Sequence, residues 1–310
     1  MVSVTVIGEV VLDCFVTDSG LDRVPGGCAA NEALALTRFG ASVDLRARYS
    51  LDENGRYLKK FASDLGIDVS NCIDAAEPAL VITITKDETG HPTYNYAELL
   101  ACADWQWNKV EIDKPLSAGC DGIIIGSMAS VFPPGFEALF DWVSQKKAAG
   151  VPVFYDLNVR PGSFEALDHA QLRAHYQQWI ELADVIKVSD EDLIWWTPSL
   201  SAQESASLIS TQGSSLVALT QGAQGVTMFS RGEQLFTFEP PPVEVVDTVG
   251  AGDTFMGWLA GGLLELPPDL RFDPALVLSV VKDAVYAAAL NCAKTGCNPP
   301  TQADLVKFSG

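Results

Sequence analysis

The chain is short of positive charge and of histidine. Its 310 residues include 20 Lys and Arg against 40 Asp and Glu, which gives a formal net charge of −20, and only three histidines. Such a surface repels nucleic acid and anionic membranes, so neither is an expected partner. Nucleotides are repelled as well, so any anion site has to be built locally from backbone N–H groups and a few cations. Three scattered histidines also argue against a histidine-based metal centre.

Paired cysteines and targeting segments are missing too. The seven cysteines are odd in number and none forms a C-x-x-C pair, which predicts free thiols in a reducing cytosol. Cys292 and Cys297 lack the second pair that a zinc site needs. No Lys or Arg precedes Arg23 and Glu9 interrupts the first apolar run, unlike a signal peptide. No apolar run approaches the roughly 18 residues of a membrane span, so we expect a cytoplasmic protein.

Two common nucleotide-binding motifs are absent. The pattern G-x-x-x-x-G-K-[ST] does not occur, which excludes a P-loop enzyme. A dinucleotide-binding enzyme would carry a glycine-rich turn after the first predicted strand, Val2–Ile7, where this chain has Gly8-Glu9-Val10. The later pair Gly250-x-Gly252 lacks a third glycine, since position 255 is Phe.

What the sequence does contain is a regular alternation of strand and helix. Short β-branched apolar runs predict strands at Gly122–Gly126, Val151–Asp156, Val185–Val188 and Leu216–Thr220, and longer stretches predict helices over 136–149, 170–183 and 202–211. The strands start about thirty residues apart. This spacing is typical of an α/β fold with a predominantly parallel central sheet and helices on both faces. With 48% apolar residues, a sizeable core is expected.

Two segments break this alternation. Residues 10–24 and 79–104 alternate apolar and polar side chains, as half-exposed antiparallel strands do. We interpret them as a small β lid on a single domain spanning 1–310; the alternative is an edge extension of the main sheet. An exposed lid edge could also support a homodimer. Further on, Phe229–Pro240 predicts a strand pair, Val243–Val246 a strand, and 251–264 and 274–294 helices.

The most informative stretch runs from Val246 to Phe255 and reads VDTVGAGDTF. Backbone N–H groups at a helix start are unpaired, and the helix dipole adds positive potential there. Gly250 and Gly252 let an anion approach those groups closely. Asp253, in the first turn, is suited to accept a proton from a hydroxyl group. The alternative is that Asp253 only caps the helix.

Together with a second motif, this stretch identifies a resemblance. The N-terminal motif is GGCAAN at residues 26–31, followed by DENG at 52–55. With DTVGAGDTF at 247–255, the chain resembles the ribokinase family, the phosphofructokinase-B type of sugar kinases, over essentially its whole length. That resemblance implies a ribokinase-like fold and ATP-dependent phosphorylation of a sugar hydroxyl, with ATP, Mg²⁺ and K⁺ as cofactors.

The resemblance also implies roles for individual residues. Asp253 is the expected catalytic base, and Gly250, Ala251 and Gly252 form the expected anion site for the phosphoryl group. The expected sugar-binding residues are Asp13, Gly26, Gly27, Asn31, Asn158 and Arg160. The expected nucleotide-binding residues are Thr220, Gly222, Gly225 and Asn291. Asp192 and Glu191 are expected to organise magnesium through water, and Asp247 and Thr248 to bind the monovalent cation.

The chain departs from the family pattern in two places. Where members often have Asn-x-x-Glu, it reads Ser189-Asp190-Glu191-Asp192, which leaves open which carboxylate serves magnesium. The segment DLNVR at 156–160 resembles fructokinases and ketodeoxygluconate kinases. However, Ala97 and Glu98 stand where fructokinases tend to have an aromatic residue and an arginine.

Several functions therefore remain open. A fructokinase-like sugar kinase is the leading hypothesis. A 2-keto-3-deoxygluconate kinase and a nucleoside kinase use the same fold, although Arg160 and the fructokinase-like ending from Asn291 to Thr301 favour a sugar. A catalytically silent sugar-binding regulator is the alternative outside enzymes, and the intact Gly-Ala-Gly-Asp sequence argues against it.

Overall fold

The computed structural model describes residues 1–17, 20–86, 92–96, 99–115, 119–164 and 167–309. Its strands are β1 (Ser3–Ile7), β2 (Val11–Thr17), β3 (Gly20–Gly26), β4 (Ser42–Arg46), β5 (Arg48–Ser50), β6 (Ile73–Ala75), β7 (Val81–Lys86), β8 (Pro92–Asn95), β9 (Gly122–Gly126), β10 (Val153–Asp156), β11 (Val185–Ser189), β12 (Leu216–Thr220), β13 (Val226–Ser230) and β14 (Glu233–Phe238). Its helices are α1 (Cys28–Phe39), α2 (Glu53–Asp64), α3 (Lys109–Ile112), α4 (Ser127–Val131), α5 (Phe136–Ala148), α6 (His169–Leu182), α7 (Asp190–Trp196), α8 (Ala202–Ile209), α9 (Ala251–Glu265), α10 (Pro274–Cys292) and α11 (Gln302–Ser309).

The main sheet has eight strands in the order β14-β13-β12-β11-β10-β9-β1-β4. The six strands from β12 to β4 in that order pair in parallel, whereas β13 and β14 are antiparallel. Successive strand residues face opposite sides: Ile124 packs in the cluster that includes Leu259 of α9, and Ile123 packs in the cluster that includes Leu139 of α5. The predicted parallel sheet with helices on both faces is confirmed.

A second sheet forms the lid. Its four strands lie in the order β3-β2-β7-β8, and within the described ranges no ladder joins them to the main sheet. This arrangement rules out an edge extension of the main sheet. The prediction of antiparallel strands holds for β2–β3 and β7–β8, but β2 and β7 are parallel. The departures from the family pattern at Ala97 and Glu98 lie outside the described residues.

A hydrogen bond joins the start of the first lid segment to the end of the second. The N–H of Val10, just before β2, donates a 2.8 Å hydrogen bond to Asp104 Oδ1, where the second lid segment ends. Asp104 is buried and its other oxygen has no partner among the described residues. Burial, with a smaller contribution from the nearby Glu9 carboxylate, raises the pKa of this carboxyl to about 8.

Two predictions about the second half of the chain were wrong. Val243–Val246 forms no strand: Pro240, Pro241 and Pro242 cannot donate to a ladder, and the N–H groups of Val246 and Asp247 donate to the Cys292 carbonyl instead. The prediction that no apolar run approaches the length of a membrane span was also wrong. By length and composition alone α10 could span a membrane, with a mean hydropathy of 1.5. It packs against α9 through buried residues such as Val281 and carries Lys282 and Asp283, so we interpret it as a core helix.

Helices α1 and α9 bring the two sequence motifs together on one face of the main sheet. They approach closely because α9 has glycine at the contact: a Cβ on Gly257 would lie 2.8 Å from the Ala35 Cβ of α1. The starts of both helices therefore meet near the carboxyl ends of the parallel strands, which is where open α/β sheets bind ligands.

Candidate active site

The N-terminal motif GGCAAN and the C-terminal motif DTVGAGDTF meet at Asp253. The side-chain amide of Asn31, in the first turn of α1, donates a 2.7 Å hydrogen bond to Asp253 Oδ2. These two residues are 222 positions apart in the sequence. Asp253 is half-buried in the first turn of α9, and no side chain caps that helix. The helix-cap alternative therefore loses its support, because the carboxylate is directed to a neighbouring helix.

The turn before Asp253 requires glycine at position 250. Gly250 has a φ of 73°, in the left-handed region, and a Cβ there would lie 2.5 Å from Cys297 Sγ. The carbonyl of Gly250 accepts from the Thr254 N–H, which starts the helix. Gly250, Ala251 and Gly252 thus form a tight turn into α9, whose first N–H groups have no partner within the helix.

A buried ion pair lies directly behind this turn. Lys187 Nζ is 2.9 Å from Asp156 Oδ1 and 3.0 Å from Oδ2. A Cβ on Gly252 would lie 3.0 Å from the same Nζ. Burial opposes the ammonium, but the carboxylates of Asp156, Asp192 and Asp253 outweigh that effect and raise the pKa of Lys187. Sequence reasoning missed Lys187, although a lysine inside the apolar run Val185–Val188 was a signal that a buried partner exists.

Two further buried groups surround the same ion pair. Glu32 is 1% exposed, and neither carboxyl oxygen has a hydrogen-bond partner among the described residues. Burial raises its pKa well above the usual value, and the carboxylates of Asp156 and Asp253 raise it further. Cys28 Sγ lies within 4.8 Å of carboxylate oxygens of Asp156 and Asp253. The positive charge of Lys187 therefore offsets the electrostatic repulsion among these acidic groups.

Two of the predicted sugar-binding residues lie side by side in the lid strands. A Cβ on Gly26 would lie 3.7 Å from Asp13 Oδ2, so the lid strands β2 and β3 place these two residues together. Burial raises the pKa of Asp13 to about 6, while the Arg160 guanidinium opposes the rise. Gly27 is the N-cap residue of α1, with a φ of 104°.

Asn158 and Arg160 follow β10, the strand that ends in Asp156. Asn158 is buried with a φ of 38°, and Arg160 is exposed. Partial desolvation of the guanidinium lowers the pKa of Arg160, but nearby charges that include Asp192 and Asp253 outweigh this effect and raise it. Its guanidinium is therefore a positive group near the base, as a binding role requires.

Of the two carboxylates predicted to serve magnesium, one is buried and the other is exposed. Asp192 is 4% exposed, and its oxygens accept N–H hydrogen bonds from Val159 and Ser189, both at 2.7 Å. Glu191 is exposed at the start of α7. Each Asp192 oxygen keeps one lone pair, which fits a contact through water better than direct ligation of a metal.

The predicted nucleotide residues lie further along the same sheet edge. Thr220 ends β12 directly opposite Ser189 of β11, and Gly222 and Gly225 form the turn that leads into β13. Asn291 is fully buried: its amide donates to the Val249 carbonyl and accepts from the Asn298 N–H. These contacts favour a role in holding the turns around the site over a direct contact with adenine.

The predicted monovalent-cation residues stand just before the glycine turn. Asp247 accepts N–H hydrogen bonds from Val249 at 3.0 Å and from Gly296 at 2.8 Å. Thr248 is exposed, and its carbonyl accepts from the Ala251 N–H. Asp247 therefore connects the turn before α9 to the loop after α10.

The geometry agrees with comparisons to known proteins. The pfkB family carbohydrate kinase profile matches residues 1–304. A fructokinase from Vibrio alginolyticus is 29% identical over 315 residues, covering all of both chains. The crystal structure of a Vibrio cholerae fructokinase variant with fructose, ADP and potassium superposes with a TM-score of 0.85 at 25% identity, covering 99% of this chain and 98% of that one.

A second solved structure supports the fold. The aminoimidazole riboside kinase of Salmonella enterica has a TM-score of 0.84 at 24% identity, covering 99% of this chain and all of that one. The matched profile spans both glycine motifs, the lid and the base, so the resemblance does not depend on one short segment. The chain belongs to the pfkB family of carbohydrate kinases, and it is an ATP-dependent enzyme that transfers phosphate to a sugar hydroxyl.

Proposed function

We propose that the acceptor of this kinase is a ketohexose, with fructose as the first candidate. The fructokinases among its relatives and the DLNVR segment at 156–160 support this assignment. The observation that carries phosphoryl transfer to a sugar hydroxyl at this site is the 2.7 Å hydrogen bond from Asn31 to Asp253 Oδ2. In this contact Asn31, whose amide suits sugar hydroxyls, is bonded to Asp253, whose carboxylate suits the proton of the acceptor hydroxyl.

In this proposal the protein's own residues divide the work of phosphoryl transfer. Asn31 holds Asp253 in place, which leaves Oδ1 to accept the proton of the attacking hydroxyl. The Ala251 N–H donates to the Thr248 carbonyl, so the other N–H groups of the turn, such as that of Gly252, receive the phosphoryl oxygens, and Lys187 supplies positive charge behind them. Asp13 and Arg160 bind other hydroxyls of the sugar and fix its orientation.

The cofactors proposed are ATP, Mg²⁺ and K⁺. Magnesium would neutralise charge on the ATP phosphates, with Asp192 and the exposed Glu191 contacting its water shell. A monovalent cation suits Asp247 and the backbone oxygens near Thr248, because carboxylate and carbonyl oxygens are ligands for such ions. Thr220, Gly222 and Gly225 would contact the nucleotide, and Asn291 would support that side of the site from within.

The assembly and location proposed follow from the surface. The chain would act as one domain, 1–310, with the two lid segments closing on the sugar. The lid exposes Val16 and Leu21, at 49% and 63%, and these apolar side chains suit contact with a second copy in a homodimer. The seven free cysteines, none of them fully exposed, suit the reducing cytoplasm.

The acceptor can be tested with a coupled assay of ADP release. The purified enzyme would be screened with fructose, tagatose, ribose, 2-keto-3-deoxygluconate and nucleosides at equal concentrations. We expect fructose to give the highest kcat/KM. A clear preference for the keto acid or for a nucleoside would replace fructose with that acceptor, and saturable sugar binding without any ADP release would favour the silent regulator.

A further inference from the structure

A pocket of about 280 Å³ opens beside the residues assigned to the sugar. Its walls come from α1, α2, strand β3 and the turn around Gly296. The lining residues that matter most are Arg23, Asn31, Leu34, Tyr57, Phe61 and Cys297. Gly26 and Asn31 line it, whereas Asp13, Arg160 and Asp253 do not, so the pocket adjoins the place where hydroxyls of the sugar would bind and extends away from it.

The pocket nevertheless begins within one side chain of the catalytic turn. Asn31, on one wall, donates to Asp253 Oδ2, and Cys297, on another, packs against Gly250. Gly26, which lies beside Asp13, also lines it. A sugar bound with one hydroxyl at Asp253 would therefore have this pocket next to it, within reach of a substituent.

The walls suit an apolar ring rather than more hydroxyl groups. Helix α2 turns one face toward the pocket, with Tyr57 and Phe61 one turn apart and Ala62 beside them. Tyr57 and Phe61 each keep 38% of their surface exposed, which is unusual for two neighbouring aromatic side chains. A cavity of about 150 Å³ already accepts benzene, so this pocket has room for a planar ring.

Polar groups at the pocket are few and distinct. The Arg23 guanidinium lies 5.1 Å from the centre of the Tyr57 ring at the rim, where it also donates to Asn54 and pairs with Glu53 at 3.6 Å. Tyr49 also lines the pocket, is 1% exposed, and has a hydroxyl without a hydrogen-bond partner among the described residues. A buried hydroxyl of this kind gains a hydrogen bond when a ligand supplies a polar atom.

We propose that this pocket is a subsite for a flat, mainly apolar ring attached to the acceptor sugar. The enzyme then accepts glycosides that carry a ring substituent, in addition to the free sugar. This inference rests on the proposed function, because it places the acceptor sugar against Asp253. The contact between Asn31 and Asp253 makes the two sites neighbours, and the aromatic face of α2 gives the second site its selectivity.

The test compares three acceptors that share one sugar: fructose, methyl β-D-fructofuranoside and benzyl β-D-fructofuranoside. The methyl compound controls for loss of the free anomeric hydroxyl, and the benzyl compound adds the ring. Burial of a phenyl ring removes enough apolar surface from water to lower KM by about tenfold or more. We expect that difference between the methyl and benzyl acceptors in the wild-type enzyme.

Three variants test whether this difference in KM arises in the pocket. Ala62→Leu fills the pocket from a position that is 3% exposed, and Phe61→Ala removes an aromatic wall. Ser63→Leu is the matched control, because it adds the same side chain on the exposed side of α2. The ratio of the benzyl to the methyl KM is taken within each variant. It should approach one in the first two variants and keep its wild-type value in Ser63→Leu.

Each outcome has a defined meaning. Equal KM values for the methyl and benzyl acceptors in the wild type, or the same preference in Phe61→Ala, would overturn the subsite. If Ala62→Leu does not fold, Phe61→Ala decides alone, since its side chain is partly exposed. If fructose itself is not phosphorylated, the proposed function fails. In that case, or if only the two glycosides are inert, the subsite is judged with benzyl alcohol by saturation-transfer NMR. A signal that Phe61→Ala abolishes supports the subsite, and an equal signal refutes it.

Discussion

Lys187 and Asp156 form an ion pair whose ammonium lies directly behind Gly252, in the turn before the proposed base Asp253. The side chains are 6% and 0% exposed. Lys187→Met leaves Asp156 buried without a partner, so it should destabilise the fold by about 3–5 kcal/mol. Loss of positive charge beside the phosphoryl oxygens should also lower kcat by about tenfold to a thousandfold. Urea unfolding and steady-state kinetics measure the two effects.

A double variant separates the loss of stability from the loss of turnover. Lys187→Met with Asp156→Asn removes both charges, so most of the lost stability should return. Turnover should stay low, because the charge behind Gly252 is still missing. Recovery of kcat together with stability would assign the ion pair a purely structural role.

Asp253→Asn should keep the fold and lose the chemistry. Asn has nearly the same size, and no helix cap depends on the carboxylate. A positioned general base contributes about 10²–10⁴-fold in rate, so kcat should fall by that factor. Thermal melting and ATP binding by calorimetry should be close to wild type. Normal turnover by a variant with lowered thermal stability would end the assignment of Asp253 as the base.

Sugar binding should weaken below pH 6. The pKa of Asp13 is raised to about 6 by burial, so the carboxyl gains its proton as the pH falls through that value. A protonated carboxyl loses acceptor capacity for sugar hydroxyls. The KM for the sugar should therefore rise between pH 7 and pH 5 while the KM for ATP changes less. In Asp13→Asn, the sugar KM should be high throughout and independent of pH in this range.

Asp104 should make the protein less stable as the pH rises. Burial raises its pKa from 3.8 to about 8, so between these values the folded chain keeps a proton that the unfolded chain releases. Stability from this group is fully present below about pH 4 and falls by up to about 1.4 kcal/mol per pH unit until the folded pKa is passed. Urea unfolding at pH 5 and pH 8 measures the slope.

Asp104→Asn is the matching variant. The Asn side chain can still accept from the Val10 N–H but does not titrate, so the difference in unfolding free energy between the two pH values should shrink. Asp269→Asn, at an exposed position, should leave that difference unchanged. An unchanged slope in Asp104→Asn would place the pH dependence elsewhere.

The lid strands should become more protected when sugar binds. Asp13 lies in β2, which pairs with β7, so a sugar that contacts Asp13 stabilises both strands. Hydrogen exchange of the amides in Val11–Thr17 and Val81–Lys86 should slow on addition of fructose, and exchange in α5 should not change. If all these rates are the same with and without sugar, the lid is a static part of the fold.

Periodic segments of the sequence predicted the sheet well. β9 and β12 have the predicted bounds, and α5 ends one residue early, because buried β-branched runs and amphipathic stretches carry their own signal. Val243–Val246 carried the same apolar signal but lacked partners, since three prolines precede it. The parallel pairing of β2 with β7 was also missed, because nothing local in either segment specifies a partner some 70 residues away.

The site was predicted only as far as its motifs extend. Asp253, Asn31 and the glycines could be proposed from the sequence because each lies in a recognisable pattern, and their roles stay predictions. Their contact was not predictable, since it depends on how closely α1 and α9 pack at Gly257. Lys187, Glu32 and Asp104 were missed because a buried charge acquires its meaning from neighbours that are remote in sequence.

The packing of α1 on α9 has a consequence for protein synthesis. Asn31 is synthesised more than two hundred residues before Asp253. Their hydrogen bond therefore cannot form until α9 has been made. A nascent or prematurely terminated chain that ends before α9 has no base and no glycine turn, even if its lid and first strands have formed. Such fragments contain Asp13 and Asn31, the proposed sugar-binding residues, without Asp253, the proposed base.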